Sequence, residues 1–62
     1  MKIIKFNNYY KDYCQYLVFD GDEIMAVIKA DSVTKTIFSI SFTSDLPHLI
    51  ERVMEAIKNV NF

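Results

Sequence analysis

Glycine, proline and cysteine each occur once in these 62 residues, and tryptophan does not occur. So little glycine and proline excludes a linker or a disordered, low-complexity segment. One cysteine, Cys14, cannot close an internal disulfide, whereas a small secreted domain normally carries several. A reducing, cytoplasmic setting is therefore expected. Charge of one sign is missing too: seven Lys and Arg against eight Asp and Glu give a net charge of −1. The basic residues are scattered, with only Lys2, Lys5 and Lys11 loosely grouped. Affinity for nucleic acid comes mainly from a basic stripe that neutralises phosphates, so no direct nucleic-acid binding is expected. No stretch approaches the ~20 apolar residues of a membrane span, and the first residues lack the apolar run of a signal peptide.

Groups that do chemistry are as sparse. The one histidine, His48, falls on the polar side of a helical pattern beside Glu51 and Arg52, without the tuned partner that acid–base work needs. Cys14 has no neighbouring His and no CxxC spacing, and reads as a small hydrophobe. Asp20, Asp22 and Glu23 cluster at a turn, where turn chemistry accounts for them and the ligand spacing of a calcium loop is absent. There is no glycine-rich phosphate loop and no Cys/His zinc pattern. Neither enzyme activity, cofactor nor metal is expected.

What the chain has is apolar surface. Hydrophobic residues make up 52% of it and aromatic residues 15%. A domain this small buries only ~60% of the surface its unfolded chain exposes, so a single domain over 1–62 has more apolar content than one small core hides.

The pattern predicts an α+β fold of order β-β-β-β-α: an antiparallel meander of three to four strands, then one amphipathic helix packed on one face. Lys2 to Phe6 is the first strand, with Asn7-Asn8 a turn after it. Tyr13 to Phe19 is rich in aromatic and β-branched residues, as strands prefer. Asp20-Gly21-Asp22 marks a two-residue hairpin turn, since such turns need positive φ and glycine supplies it. Ile24 to Ala30 returns. A turn at Asp31 to Thr34 leads to Lys35 to Thr43, where Phe38, Ile40 and Phe42 alternate with Ser39 and Ser41. From Leu46 the apolar positions Leu49, Ile50, Val53, Met54, Ile57 and Val60 follow helical spacing, with Ser44 or Asp45 as cap and Pro47 in the first turn.

A two-residue turn pairs odd residues with even ones. One face then carries Tyr13, Gln15, Leu17, Phe19, Ile24, Ala26 and Ile28, and the other Cys14, Tyr16, Val18, Met25, Val27 and Lys29. Neither is polar. One helix covers one face only, and monomers rarely leave a large apolar patch bare, so the other face is expected to meet a protein surface, the alternative being that a long loop or the N-terminal strand with its tyrosines folds over it. Tyr9, Tyr10, Tyr13 and Tyr16 lie within eight residues of one another, flanked by Phe6 and Phe19. Tyrosine gives large contact area at small entropic cost and is enriched at interface hot spots. These six aromatics are the candidate protein-binding residues.

Met1-Lys2-Ile3-Ile4-Lys5-Phe6, the tyrosine-bearing strand after it, Val18-Phe19-Asp20-Gly21, the return strand and the C-terminal helix together resemble the small phage anti-CRISPR proteins that block the type I-F surveillance complex. The resemblance implies a non-catalytic inhibitor, acting in the host cytoplasm, that binds a host protein complex through sheet residues and obstructs DNA recognition. It implies contacts near Phe6 and Phe19, where this chain has Phe in place of Tyr. The alternative from another class is a homo-oligomeric structural or accessory protein, in its simplest form a homodimer, whose apolar sheet face packs against another copy.

Overall fold

A computed structural model describes residues 1–6 and 12–60. Four strands, β1 (Lys2–Phe6), β2 (Tyr13–Asp20), β3 (Glu23–Asp31) and β4 (Ile37–Phe42), precede one helix, α1 (Pro47–Lys58). The strands form one antiparallel sheet in chain order, β1-β2-β3-β4. This is the expected α+β meander with a C-terminal helix. The turn expected at Asn7-Asn8 lies outside the described residues.

The β2–β3 turn forms as the Asp-Gly signal requires. Asp20 pairs with Glu23 around Gly21 and Asp22, and Gly21 sits at φ +62, where only glycine is unstrained. The next step departs from expectation. Phe19 pairs with Ile24 but Val18 with Ala26, which leaves Met25 as an extra residue on β3. Such a bulge offsets the pairing by one residue, so beyond it even residues face even ones.

The two sheet faces are therefore not those of an unbroken hairpin. Ala26 and Ile28 join Cys14, Tyr16 and Val18 under the helix, while Val27 and Lys29 join Tyr13, Gln15 and Leu17 on the opposite face.

The β3–β4 turn is organised by Asp31, whose Oδ1 accepts N–H bonds from Val33 at 2.8 Å and Thr34 at 2.9 Å. Asp31 also closes the turn through its main chain, donating to the Thr36 carbonyl at 2.8 Å and accepting from Lys35 at 2.9 Å. Lys35 adopts φ +65 and belongs to this turn, so β4 begins at Ile37 and not at Lys35.

Helix α1 is capped at Leu46, one residue after Asp45 and two after Ser44, the caps expected. Leu46, at φ −69 and ψ 123, is the N-cap with no side-chain bond, and Pro47 is the first helical residue. The cause is local: the ring of a proline drives the residue before it into extended backbone. Ser44 Oγ accepts the N–H of Leu46 at 3.3 Å instead.

Val53 and Ile57 of α1 are buried against Val18, Met25, Ala26 and Ile28. Burial of such side chains contributes about 1.5–3 kcal/mol each. Ile3, Tyr16, Ile37, Ile40, Phe42 and Leu49 pack half-buried around them. Arg52 Nη1 lies 3.4 Å from Asp20 Oδ2, with both side chains about half exposed, and links the helix to the β2–β3 hairpin tip. Leu46, 50% exposed, and Met54, 45% exposed, belong to the apolar helical pattern without entering the core.

Candidate protein-binding surface

The face away from α1 is built by alternation. On β1, Ile4 lies opposite Leu17 and Phe6 opposite Gln15. On β3, Ile24 lies opposite Phe19 and Val27 opposite Leu17, and on β4, Ser41 lies opposite Val27 and Ser39 opposite Lys29. Lys2, Gln15 and Lys29 also lie on this face, at its margins, so its apolar centre is formed by Ile4, Leu17, Phe19, Ile24 and Val27, with the hydroxyls of Ser39 and Ser41 on β4. Ile4 is 41% exposed, Phe6 48% and Ile24 42%.

Phe38 completes it by a second irregularity. Lys29 pairs with Ser39 but Ala30 with Ile37, so Phe38 is the extra residue of β4. Bulges re-aim side chains, and the Phe38 ring, 60% exposed, meets the Tyr13 ring edge to face at 5.9 Å between centroids. Lys29 Nζ stands 5.3 Å from the Tyr13 ring centroid, within cation–π range. One end of the open face is thus an aromatic pair with an ammonium beside it.

Of the six aromatics singled out by sequence, Phe6, Tyr13 and Phe19 share this open face. Tyr16 lies on the other side, packed against the core under α1. Tyr9 and Tyr10 lie outside the described residues. Ile4, Val27 and Phe38 belong to the surface although their types and positions did not single them out. Strand alternation is the signal that finds Ile4, but nothing in the sequence marks the bulge that turns Phe38.

The arrangement suits contact with another macromolecule. Among the described residues, no group of three or more His, Cys, Asp or Glu is placed to hold a metal ion. A groove of about 470 Å³ runs along α1 between Ile50, Glu51, Met54, Glu55 and Lys58. His48 is exposed on α1, and Cys14 is half-buried on the helix side of the sheet. The Asp31 carboxyl is held below its ordinary value of 3.8 by the N–H of Thr34 and then that of Val33. Hydrogen bonds to the charged form act in that direction, and in Asp31 they serve the turn.

In comparisons with protein families, curated proteins and solved structures, no family model, protein or structure matches this chain. Among the described residues, no helix is long and apolar enough to cross a membrane.

Proposed function

We propose that this chain is a small non-catalytic protein-binding module, an anti-CRISPR-like phage inhibitor that docks through its open sheet face and occludes a host protein complex in the cytoplasm. One observation carries the reading: α1 covers a single face of the sheet, and the opposite face holds exposed Ile4, Phe6, Ile24 and Phe38 around half-buried Leu17, Phe19 and Val27. Antiparallel sheets with one face in water normally alternate apolar and polar residues along each strand, so that the wet face is polar. Exposed apolar patches of several hundred Å² mark interaction sites, and aromatic anchors supply most of the energy at such sites. The sequence resemblance supports the choice of target class and coincides with the open face at Phe6 and Phe19.

The test uses purified type I-F surveillance complex and a labelled target duplex. The wild-type chain is expected to bind the complex and prevent its DNA binding. Phe6→Ser, at an exposed β1 position, is expected to weaken inhibition by about tenfold or more, the loss typical of a hot-spot residue, while the circular dichroism spectrum is kept. A wild-type chain that neither binds the complex nor affects its DNA binding removes the inhibitor reading. A homodimer that buries the open face, lost on Phe6→Ser, would assign that face to self-association instead.

A further inference from the structure

We propose that the free edge of β4 pairs with the same edge of a second copy, antiparallel about Ile40, joining two four-stranded sheets into one. This goes beyond the reading of the open face and does not depend on it.

Among the described residues the sheet ends in two edge strands, β1 and β4, of opposite character. β1 reads KIIKF, and Lys2 and Lys5 are the kind of charge that keeps an edge from pairing with another chain. β4 reads IFSISF, with no charge, proline or glycine; its one irregularity is the bulge at Phe38, and Ser39 to Phe42 pair regularly. Unpaired N–H and C=O groups on such an edge are a template for another strand.

Three further observations select a second copy as the occupant. First, Phe38-Ser39-Ile40-Ser41-Phe42 reads the same in both directions. Antiparallel pairing of two copies about Ile40 brings Ile40 opposite Ile40 and each Ser39 opposite the second copy's Ser41, and no like charges meet. Second, the peptide groups point the right way. The Thr43 N–H donates to the Met25 carbonyl at 3.0 Å. Antiparallel ladders alternate bonded and non-bonded residues, so Ser41 and Ser39 direct their peptide groups to β3, while Phe42 and Ile40 direct theirs outward. On the far side of the Phe38 bulge, the bond from the Asp31 N–H to the Thr36 carbonyl at 2.8 Å turns Thr36 inward and Ile37 outward. Across the two-fold axis, outward Ile40 meets outward Ile40, and outward Phe42 meets outward Ile37.

Third, Ile37, Ile40 and Phe42 lie at the half-buried margin of the core under α1. A two-fold axis perpendicular to the sheet keeps both helices on one side. It joins the two core margins into one and leaves both open faces together on the other side.

The experiment is light scattering on the purified full chain over a dilution series, with three variants. Wild type is expected at twice the 7.3 kDa chain mass. Ser39→Glu with Ser41→Glu sets glutamate against glutamate twice across the axis and is expected at the single mass; Lys29 opposite Ser39 supports the new carboxylate within each chain. Ser39→Glu with Ser41→Lys sets opposite charges against each other and is expected to restore the double mass. Ile4→Glu, on the open face far from β4, is expected to leave the double mass unchanged. Circular dichroism checks each fold. Amide exchange at Ile40 and Phe42 should be slow in wild type and fast in the double-glutamate variant. The proposal is overturned by a single mass for wild type at all concentrations, by a double mass in the double-glutamate variant, by failure of the glutamate–lysine pair to restore it, or by its loss in Ile4→Glu.

Discussion

The rings of Tyr13 and Phe38 meet at 89° with centroids 5.9 Å apart, joining the beginnings of β2 and β4 across the face of β3. Perpendicular aromatic pairs contribute about 0.5–1.5 kcal/mol beyond the area they bury. A double-mutant cycle on Tyr13→Ala and Phe38→Ala, read from urea unfolding, is expected to return a coupling in that range. Strict additivity of the two losses would show that the rings do not interact in solution.

Gly21 stands in the left-handed region, and a Cβ there would meet no atom within 4 Å. Substitution is therefore penalised by backbone conformation alone. Gly21→Ala is expected to cost about 1–2 kcal/mol, the penalty of left-handed backbone for an L-residue. Gly21→Asn should cost less, since asparagine tolerates this region. An unchanged urea midpoint for Gly21→Ala would mean that the turn takes another form.

Asp31 gives the chain an acid-sensitive turn. Its folded pKa is lowered, chiefly by the Thr34 N–H and then by that of Val33. A lowered folded value means that the carboxylate's contribution to stability is complete above the ordinary value of 3.8 and is lost as pH falls through the folded value. A carboxyl titration followed by NMR should place the Asp31 midpoint below 3.8. Asp31→Asn keeps an acceptor without the charge, so its melting temperature should fall less steeply than that of wild type below about pH 4. Equal slopes would remove Asp31 as the source.

Ile28 is fully buried beneath α1, whereas Leu46 is 50% exposed. Ile28→Ala is expected to cost about 2–5 kcal/mol from lost transfer energy and the cavity left behind. At roughly 0.05–0.15 kcal/mol per residue of total stability, that is a large part of what a chain of this size has. Leu46→Ala should change stability by less than about 0.5 kcal/mol, as is usual for surface positions. Urea denaturation of both variants checks the contrast.

Much of this fold is legible along the chain because its signals are local. Asp20-Gly21-Asp22 marks a turn, Asp31 another, and the spacing of Leu49, Val53 and Ile57 a helix. The face assignment is not legible, because both faces are apolar. The extra residue at Met25 shifts the pairing without placing any charge in the core, so the sequence pattern carries no trace of it. The cap was displaced by Pro47, whose constraint on Leu46 outweighs the side-chain oxygens of Ser44 and Asp45. Tyr13 belongs to the candidate surface and Tyr16 does not, because they stand three residues apart on β2 and an odd separation puts them on opposite faces. Phe38 joins Tyr13 only through the bulge on β4.

Each strand lies beside its immediate predecessor in the chain, and this bears on how the molecule assembles. No strand waits for a distant segment, so the sheet closes through a series of short loops. A low average sequence separation between contacts favours rapid folding. In a chain made from its N-terminus, β2, β3 and β4 each follow the strand they pair with, and α1 comes after the sheet it covers.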